Sequence, residues 1–289
     1  MRPFDPRVTP ARADLAAKEL QGKVAAPRYA EGSAYEVVAP RTPVRGEPVS
    51  DAPLATEALR GERVTVYDIN AEGWAWGQLS ADGYVGWLAE SALKPAGPQP
   101  THKVTALRTL VFPGPSIKLP PLEALPFGAQ LVVVETKDQM AITPARGYVP
   151  AVHLAPVKQY ERDFVAVAER FVGAPYLWGG KTVLGLDCSG LVQVALAACD
   201  VASPRDSDMQ EEALGAKVTI ASGLGDLQRG DLVFWKDHVA VVRDRSSLIH
   251  ANAFHMAVAI EPIAEAVGRI RAGGTEISSI RRLSRTTAS

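Results

Sequence analysis

One cysteine of the chain has the sequence surroundings of a nucleophile. Cys188 follows a Gly-rich segment and Asp187, and it is followed directly by Ser189, Gly190 and an apolar run over residues 191–196. Because Asp is a favoured N-cap residue, this order predicts a loop that ends at Asp187 and a buried helix that begins next to it. A thiol in the first turn lies at the positive end of the helix dipole, which stabilises the nucleophilic thiolate.

A nucleophilic thiol needs a base, and two histidines can provide one. His238 begins a predicted strand, and His250 ends the next strand. If the intervening turn is centred on Asp244, the two imidazoles lie opposite each other on one face of a hairpin. This geometry favours Cys188 as nucleophile, His238 as base and His250 as the group that orients the base. The other histidines, which have no identifiable partner in the sequence, are His102, His153 and His255.

Two alternatives compete with catalysis for these residues. A lone cysteine at a helix start is often a small core residue, and a Cys/His/His set can ligate zinc. No fourth zinc ligand is evident, so we expect no metal and no cofactor. The second cysteine, Cys199, lies eleven residues along the same predicted helix, where a disulfide to Cys188 is geometrically impossible. We interpret Cys199 as a core residue and expect both thiols to be reduced.

The elements around these residues indicate an α+β domain. Apolar residues at helical spacing predict a helix over residues 164–172 that ends at Gly173, and a second helix runs from Ser189 to Ala198. Four predicted strands with short connections follow, over residues 230–235, 238–242, 247–251 and 257–261. Helices followed by an antiparallel sheet are typical of the α+β class.

The N-terminal half has the pattern of short strands and turns. After an arm with a predicted helical stretch over residues 11–20, strands are predicted over 34–38, 63–68, 74–79 and 84–88, and the Pro-rich segment 39–59 is predicted to be irregular. Ala81-Asp82-Gly83 predicts a hairpin turn. Residues 94–100 have the composition of a linker. A second set of strands is predicted over 103–107, 130–135, 140–143 and 147–149.

Composition and charge exclude several function classes. The 289 residues carry a formal net charge of -1, which gives no electrostatic basis for binding nucleic acid or anionic lipid. No segment approaches the roughly 18 apolar residues of a membrane span, and residues 1–7 do not resemble a secretory signal. We therefore expect a cytoplasmic protein without nucleic-acid or membrane partners.

The motifs of the C-terminal half resemble those of the NlpC-type cysteine peptidases, which are papain-like enzymes that hydrolyse peptidoglycan stem peptides. The resemblance covers residues 158–289, and it implies a papain-like α+β fold and a catalytic triad of Cys188, His238 and His250. It also implies that Tyr176 helps to polarise the scissile carbonyl. One departure is Lys236-Asp237, where the family usually has a small residue or Gly. The motifs are Pro-Tyr-Leu-Trp-Gly-Gly from Pro175, Asp-Cys-Ser-Gly-Leu-Val from Asp187, Gly-Asp-Leu-Val-Phe-Trp from Gly230, His-Val-Ala-Val-Val from His238 and Leu-Ile-His-Ala-Asn from Leu248.

The N-terminal half resembles bacterial SH3-like domains. After the arm of residues 1–21, the first small all-β barrel covers residues 22–95, and a degenerate second one without the tryptophans covers residues 100–157. Trp74, Trp76 and Trp87 either form the core of the first barrel or bind a ligand, and the core is the simpler interpretation because aromatic residues dominate small β cores.

This domain combination resembles the γ-D-glutamyl-L-diamino acid endopeptidases, which cut stem peptides between D-Glu and diaminopimelate or lysine and require a free N-terminal L-Ala. The resemblance implies that Asp187 and Ser189 bind the substrate amine, that Tyr84 of the first barrel closes the pocket, and that Trp178 contacts substrate. Asp51 or Glu57 is the candidate second acid for the amine. A buried Asp187 that relies on this ammonium would be left unpaired by other substrates, so it should reject them.

We therefore expect a monomeric cytoplasmic enzyme that acts on peptidoglycan-derived peptides in murein recycling. Two alternatives stay open. The first is an exported hydrolase that its SH3-like domains anchor to the cell wall. The second is a papain-like amidase or acyltransferase that acts on another substrate.

Overall fold

The computed structural model describes residues 4–219 and 224–284. These residues divide into two compact units, one that ends at Gln159 and one that begins at Tyr160. Residues 1–3 of the predicted arm, and residues 220–223 and 285–289 of the predicted catalytic domain, lie outside the described residues. Within the described ranges, no helix has the length and apolar composition needed to cross a membrane.

The first unit begins with the arm and a seven-stranded sheet whose order is β5-β4-β8-β7-β6-β3-β9. Its core consists of inward-facing apolar residues from alternate strand positions, such as Val64, Val66 and Leu88. The strands and short helices up to residue 95 are β1 (Leu15–Ala17), a 3-10 helix (Lys18–Leu20), β2 (Arg28–Ala30), β3 (Ser33–Val37), β4 (Arg41–Arg45), β5 (Leu54–Leu59), β6 (Arg63–Ile69), β7 (Trp74–Leu79), β8 (Val85–Ala89), a 3-10 helix (Glu90–Ala92) and β9 (Leu93–Pro95).

Four strands predicted from alternation correspond to β3, β6, β7 and β8, and Gly83 adopts the positive φ (76°) that the predicted hairpin turn requires. Two other predictions for this region are wrong. The stretch 11–20 is not an α-helix, because β1 pairs in parallel with β2 and its buried residues Leu15 and Ala17 pack against the first barrel. The segment 39–59 is not irregular throughout, because β4 and β5 pair along most of their length in spite of Pro43.

Residues 100–157 form three small sheets, of order β13-β10-β17, β11-β12 and β14-β15-β16. The predicted continuous strand over 130–135 is wrong, because β13 ends at Leu131 and β14 begins at Glu135. The strands are β10 (His102–Val104), β11 (Arg108–Val111), β12 (Glu123–Pro126), β13 (Gln130–Leu131), β14 (Glu135–Lys137), β15 (Met140–Ile142), β16 (Tyr148–Pro150) and β17 (Leu154–Pro156), with a 3-10 helix (Ala151–His153) before the last strand.

The second unit is an antiparallel sheet of order β20-β25-β21-β22-β23-β24, with α2 packed against β22 and β23. Its elements are α1 (Phe164–Glu169), β18 (Lys181–Thr182), β19 (Gly185–Leu186), α2 (Cys188–Ala198), α3 (Ser207–Ala213), β20 (Ala216–Lys217), a 3-10 helix (Leu224–Asp226), β21 (Leu232–Trp235), β22 (His238–Val242), β23 (Ser247–Asn252), β24 (Ala257–Pro262), α4 (Ile263–Ala272) and β25 (Ser279–Arg282).

The predicted α+β order of this unit is confirmed, and so are α2 and the four predicted strands, which are β21 to β24. The first predicted helix extends too far, because α1 ends at Glu169 and the chain turns before Gly173. Helix α4 and strand β25 were not predicted. Helix α4 covers the sheet with a narrow buried stripe that contains Ile263, Ala266 and Val267, and β25 pairs with β21.

Candidate active site

Cys188 opens helix α2, as predicted, and its surroundings are held by local hydrogen bonds. Asp187 is the N-cap residue, and its Oδ1 accepts the Gly190 N–H at 2.7 Å. A Cβ on Gly190 would collide with the carbonyl oxygen of Gly180, so the helix start lies against the Gly-rich loop at a distance that only glycine permits. Asp187 thus caps the turn in which the Cys188 thiol lies.

The two predicted histidines lie side by side. His238 Nε2 and His250 Nδ1 are 2.8 Å apart, which confirms the predicted pairing of the imidazoles on one face of the hairpin. The predicted register is wrong by two residues, because Val241 pairs with Ile249 and the turn is centred on Arg245. A shift of two residues leaves every side chain on the same face of the sheet, and for this reason the pairing survives the error.

The cause of the register difference is a side-chain cap. Asp244 Oδ1 accepts the backbone N–H groups of Ser246 and Ser247 at 2.9 Å each, so Asp244 starts the turn and does not occupy its centre. The preceding hairpin, in which Trp235 pairs with His238, turns through Lys236 and Asp237. Asp237 adopts a left-handed φ of 61°, a conformation that Asp tolerates better than most residues. The position at which the family usually has a small residue therefore forms a tight turn before His238.

The thiol lies at the His238 end of strand β22. The Cys188 sulfur accepts hydrogen bonds from the backbone N–H groups of Val239, the residue after His238, and of Ser189. Cys188 and His250 are both buried, and His238 is partly buried. The structure thus brings together the three residues that the sequence singles out for nucleophilic catalysis.

Burial determines the resting protonation states of the thiol and the base. Burial, followed by the negative charge of Asp187, raises the pKa of Cys188 to about 12. Burial, followed by the charges of His250 and Arg269, lowers the pKa of His238 to about 3. Burial and the Asp187 charge thus outweigh the groups that favour the thiolate, so the neutral thiol and the neutral imidazole are the favoured pair.

Asp187 has a partner that the sequence interpretation missed. Arg205 is only 1% exposed, and its Nη1 and Nη2 donate to the two carboxylate oxygens of Asp187 at 2.9 and 2.7 Å. The Gly179 N–H also donates to Asp187 Oδ2 at 2.8 Å. The expectation that this carboxylate would be unpaired without a substrate amine is therefore wrong. The rule that a buried carboxylate needs a cation could have prompted a search for Arg205, but the sequence did not identify which cation.

The remaining predicted residues of this unit lie around the thiol. The Ser189 hydroxyl accepts a hydrogen bond from Arg205 Nη1 at 2.9 Å, so it faces the same buried cluster as Asp187. Tyr176 is half-buried; burial, followed by the charges of Cys188 and Asp187, raises its pKa to about 12. Its hydroxyl is therefore a stable proton donor. Trp178 is 63% exposed on the Gly-rich loop. The roles of these residues in substrate binding stay predictions.

A second missed residue lies behind the histidines. Glu261 on β24 is buried, and its Oε1 lies 2.7 Å from His250 Nε2. Arg269 on α4 donates to the same carboxylate. In the sequence, Glu261 is an acidic residue at the end of a predicted strand, a position that is usually solvated, and no motif distinguishes it.

The predicted substrate residues of the first barrel occupy different environments. Tyr84 is 6% exposed and belongs to the apolar core of the barrel, and its N–H donates to Asp82 Oδ1 at 3.0 Å. Glu57 is fully buried and pairs with Arg41, whereas Asp51 is exposed. The proposed contacts of Tyr84 and of either acid with substrate stay predictions.

The tryptophans of the first barrel serve mainly as core residues. Trp76 packs with Tyr67 and the arm residue Leu15. The guanidinium of Arg12, also from the arm, lies 4.8 Å from the ring centroids of both Trp76 and Trp87. The aromatic face of the barrel is thus covered by the arm. This arrangement favours the core interpretation of the tryptophans over a ligand site on this face.

Within residues 4–219 and 224–284, no group of three or more His, Cys, Asp or Glu side chains has the arrangement of a metal site. The side chains of His238, His250 and Glu261 instead form a hydrogen-bonded array, and the Cys188 thiol lies at its His238 end, where it accepts from the Val239 N–H. Such an array can transfer a proton from the thiol to His238 and stabilise the imidazolium that forms.

Comparison with known protein families identifies two matching regions. Residues 173–270 match the model of the NlpC/P60 family, and residues 44–93 match the model of the bacterial dipeptidyl-peptidase SH3 domain. The first region contains all of the side chains described around the thiol, from Tyr176 to Arg269. The second region contains four strands of the large sheet in full, β5 to β8, and the end of β4.

Two curated relatives and one solved structure are informative. The chain is 26% identical over 246 residues to the γ-D-glutamyl-L-lysine dipeptidyl-peptidase of Bacillus cereus, a match that covers 73% of this chain and 71% of that protein. It is 33% identical over 102 residues to dipeptidyl-peptidase 6 of Lysinibacillus sphaericus, of whose length the match spans 36%. The structure of an NlpC/P60 family protein from Bacillus cereus superposes with a TM-score of 0.72 at 22% identity, covering 86% of this chain and 99% of that one, which supports the same fold.

Proposed function

Because the chain carries a cysteine-peptidase domain of the NlpC/P60 family and a bacterial SH3 domain, we propose that it hydrolyses the γ-D-glutamyl-L-diamino acid bond of peptidoglycan stem peptides that have a free N-terminal L-Ala. The observation that carries this proposal is the 2.8 Å contact between His238 and His250, at the strand end that donates a backbone N–H to the Cys188 sulfur. This is the arrangement that a thiol nucleophile needs.

In the proposed reaction, His238 accepts the proton of the Cys188 thiol as the sulfur attacks the γ-carbonyl carbon of D-Glu. The new C–S bond gives a tetrahedral oxyanion, which the Cys188 backbone N–H and the Tyr176 hydroxyl stabilise. The C–N bond then breaks, and His238 returns its proton to the amine of the departing diamino acid. Water, deprotonated by His238, hydrolyses the thioester and restores the thiol.

Neutral resting groups suit this sequence of steps. Since burial holds the pKa of His238 near 3, the imidazole is an unprotonated base over the physiological range. The thiol keeps its proton until substrate is bound, because burial and Asp187 raise the pKa of Cys188. Proton transfer inside the pair leaves the net charge of the site unchanged, so it avoids the cost of burying one isolated charge.

The substrate class is supported by the name of the Bacillus cereus relative, a γ-D-glutamyl-L-lysine dipeptidyl-peptidase. We propose that Ser189, Trp178 and Tyr84 contribute to binding the L-Ala-γ-D-Glu portion. Asp187 acts through Arg205 in this scheme and not as the direct counter-charge of the amine, because its oxygens are already occupied. We also propose that residues 100–157 are a degenerate second SH3-like domain that serves as a spacer or packing module.

We place the enzyme in recycling of released wall peptides in the cytoplasm, as a monomer. The competing function is an exported hydrolase that is anchored to the wall by its SH3 domain. The arm residues Arg12 and Leu15 pack on the ring of Trp76, so that ring is not open to a wall ligand. A pelleting assay with purified peptidoglycan separates the two functions, since recycling predicts that the protein stays in the supernatant.

The reaction is tested by incubating the full chain with L-Ala-γ-D-Glu-L-Lys and with its diaminopimelate counterpart. We expect release of L-Ala-γ-D-Glu, a loss of at least about 10³-fold in kcat with Cys188→Ala, and unchanged turnover with the other cysteine replaced, Cys199→Ala. Failure to release the dipeptide, or full activity of Cys188→Ala, contradicts the proposal. Hydrolysis of the N-acetylated peptide as fast as the free one rejects only the requirement for a free amine. Transfer of the acyl group to an added amine in place of water would favour the acyltransferase alternative.

A further inference from the structure

The array of polar side chains around the thiol does not end at His250. His250 Nε2 lies 2.7 Å from Glu261 Oε1, on the side of the ring away from His238. Glu261 follows Ala259, the residue opposite His250 in the β23–β24 pair, by two positions, so the two side chains share a face of the sheet. The Glu261 carboxylate is also bound by Arg269, which reaches it from helix α4.

The Glu261 carboxylate determines which nitrogen of each histidine carries a hydrogen. An ionised carboxylate has no proton to donate, so the contact with Glu261 requires that His250 Nε2 carries the hydrogen. A neutral His250 then has a bare Nδ1, which can only accept. His238 Nε2 must therefore be the donor in the 2.8 Å contact between the two rings. A neutral His238 is then left with a bare Nδ1, the nitrogen that a base needs.

We propose that Glu261 is a positioning residue of the active site, which fixes His250 in the tautomer that accepts a hydrogen bond from His238. Glu261 touches neither the thiol nor, in the reaction described above, the substrate. Its effect passes through His250, which keeps the unprotonated nitrogen of His238 available to the thiol and which stabilises the imidazolium after proton transfer. The catalytic triad thereby becomes an array of four residues that are contributed by α2, β22, β23 and β24.

Arg269 gives this arrangement its electrostatic balance. Burial acts to raise the pKa of Glu261, but the hydrogen bond and charge of His250 and the pairing with Arg269 outweigh it and lower that pKa, so the carboxylate stays ionised. The same guanidinium disfavours a second proton on His238, because it is one cause of the lowered pKa of that histidine. Among the described residues, His238 from β22 and Glu261 from β24 are bonded to His250, and Arg269 from α4 reaches the array through Glu261.

The tautomer can be measured directly in the wild-type chain. In long-range proton–nitrogen NMR spectra of 15N-histidine-labelled full-length protein at pH 7, the His250 signals are assigned by their absence in His250→Asn. We expect a pyrrole-like Nε2 and a pyridine-like Nδ1 for His250, and the same pattern for His238. A hydrogen on His250 Nδ1 would overturn the proposal. This readout needs no substrate, so although the inference rests on the proposed function, its failure can be distinguished from failure of the peptidase assignment.

Variants then connect the tautomer to turnover. Glu261→Met has a similar length but no acceptor, and we expect a mixed His250 tautomer and a kcat lower by about 10- to 100-fold with KM nearly unchanged, a smaller loss than that caused by a wrong tautomer within a triad. Glu261→Gln keeps an acceptor oxygen, so it should retain the tautomer and most of kcat. The matched control is Glu265→Met, which makes the same change at an exposed position of α4. Equal kcat in Glu261→Met and wild type, or a loss that Glu261→Gln fails to rescue, would show that Glu261 has no positioning role.

Discussion

Two carboxylate–arginine pairs lie on opposite sides of the nucleophile and its base, and they differ in what else they contact. Asp187 and Arg205 lie beneath the thiol, where Arg205 is 1% exposed and also donates to the Ser189 hydroxyl and the Gly180 carbonyl. Glu261 and Arg269 lie behind the histidines, where the Arg269 side chain is 28% exposed and stacks on the exposed ring of Phe254 at 4.4 Å. The first pair is hydrogen-bonded mainly to backbone groups of the Gly-rich loop and α2. The second pair is hydrogen-bonded to the titratable imidazole of His250.

This difference indicates a division of roles. The Asp187–Arg205 pair joins the Gly-rich loop to the start of α2, so it determines where the sulfur lies. The Glu261–Arg269 pair contacts the one side chain that orients the base, so it determines where protons lie. Loss of the first pair should therefore appear mainly as lost stability, and loss of the second mainly as an altered pH dependence.

The largest effect is expected from Arg205→Met, which leaves the Asp187 carboxylate buried without its cation. Removing one partner of a buried ion pair costs about 3–5 kcal/mol of unfolding free energy, and the low exposure of Arg205 means that solvent does not screen the loss. Urea unfolding at pH 7 measures it. The control is Arg170→Met, which removes a surface pair with Glu161 and should cost less than about 1 kcal/mol.

A second variant separates the electrostatic effect of the Asp187–Arg205 pair from the loss of packing around Arg205. Arg205→Met combined with Asp187→Asn removes both charges, so it should recover part of the stability that Arg205→Met loses, since no uncompensated charge stays buried. If the single substitution costs no more than the surface control, the Asp187–Arg205 pair does not hold the helix start and the contrast between the two pairs fails.

The sequence predicts one side of this site better than the other. Cys188, its N-cap and the two histidines were identified because local signals specify them: a capping residue, a Gly-rich loop and strand ends at regular spacing. Arg205 lies in the connection between α2 and α3, and Glu261 lies at a strand end, where a charged residue is normally solvated. The roles of Arg205 and Glu261 depend on which side chains the fold brings next to them. No local sequence pattern predicts these long-range contacts.

The same distinction explains the errors in the fold. The stretch 11–20 has helix-forming residues, but the apolar contacts of Leu15 with Tyr67 and Trp76 are long-range and override local propensity. The hairpin register depends on the side chain of Asp244, which caps the start of the turn. The turn is therefore centred on Arg245 and not on Asp244, as the sequence prediction assumed. By contrast, β6 and β7 were predicted well because their large apolar residues alternate with polar or small residues in the sequence itself.

A change in pH dependence is expected from Arg269→Met. The positive charge of Arg269 contributes to the lowered pKa of His238, after burial and the effect of His250. Without this charge the pKa of His238 rises from about 3 towards its ordinary value of 6.5. The base is active only when neutral, so a higher pKa means that protonation removes activity at a higher pH. The acid limb of kcat/KM should therefore move upward, with the loss of activity confined to the acid end of the profile and little change at pH 8.

The matched control for Arg269→Met is Arg271→Met, because Arg271 lies on the same helix and pairs with Glu276 at the surface. It should leave the pH profile unchanged. The stability cost of Arg269→Met should be smaller than that of Arg205→Met, because Arg269 is 28% exposed and the Glu261 carboxylate keeps its hydrogen bond to His250. An unshifted acid limb, or a stability loss as large as that of Arg205→Met, would remove the distinction between a pair that holds structure and a pair that tunes protons.

The smallest effect is expected for a third arginine, which is remote from the thiol along the chain and touches no titratable ring. The Arg12 side chain is 20% exposed, pairs with Asp14 and Asp68, and lies between the rings of Trp76 and Trp87. Each such stacking contact contributes about 0.5–1 kcal/mol at partly exposed sites, so Arg12→Ala should lower the unfolding free energy by about 1–2 kcal/mol. Tryptophan fluorescence during urea unfolding follows the change. Arg28→Ala removes a mostly exposed partner of Asp14 and should cost less than about 0.5 kcal/mol. If Arg12→Ala lowered the unfolding free energy as much as Arg205→Met does, exposure would not distinguish strong from weak arginine pairs in this protein. Burial would then not explain why the Asp187–Arg205 pair holds the start of α2.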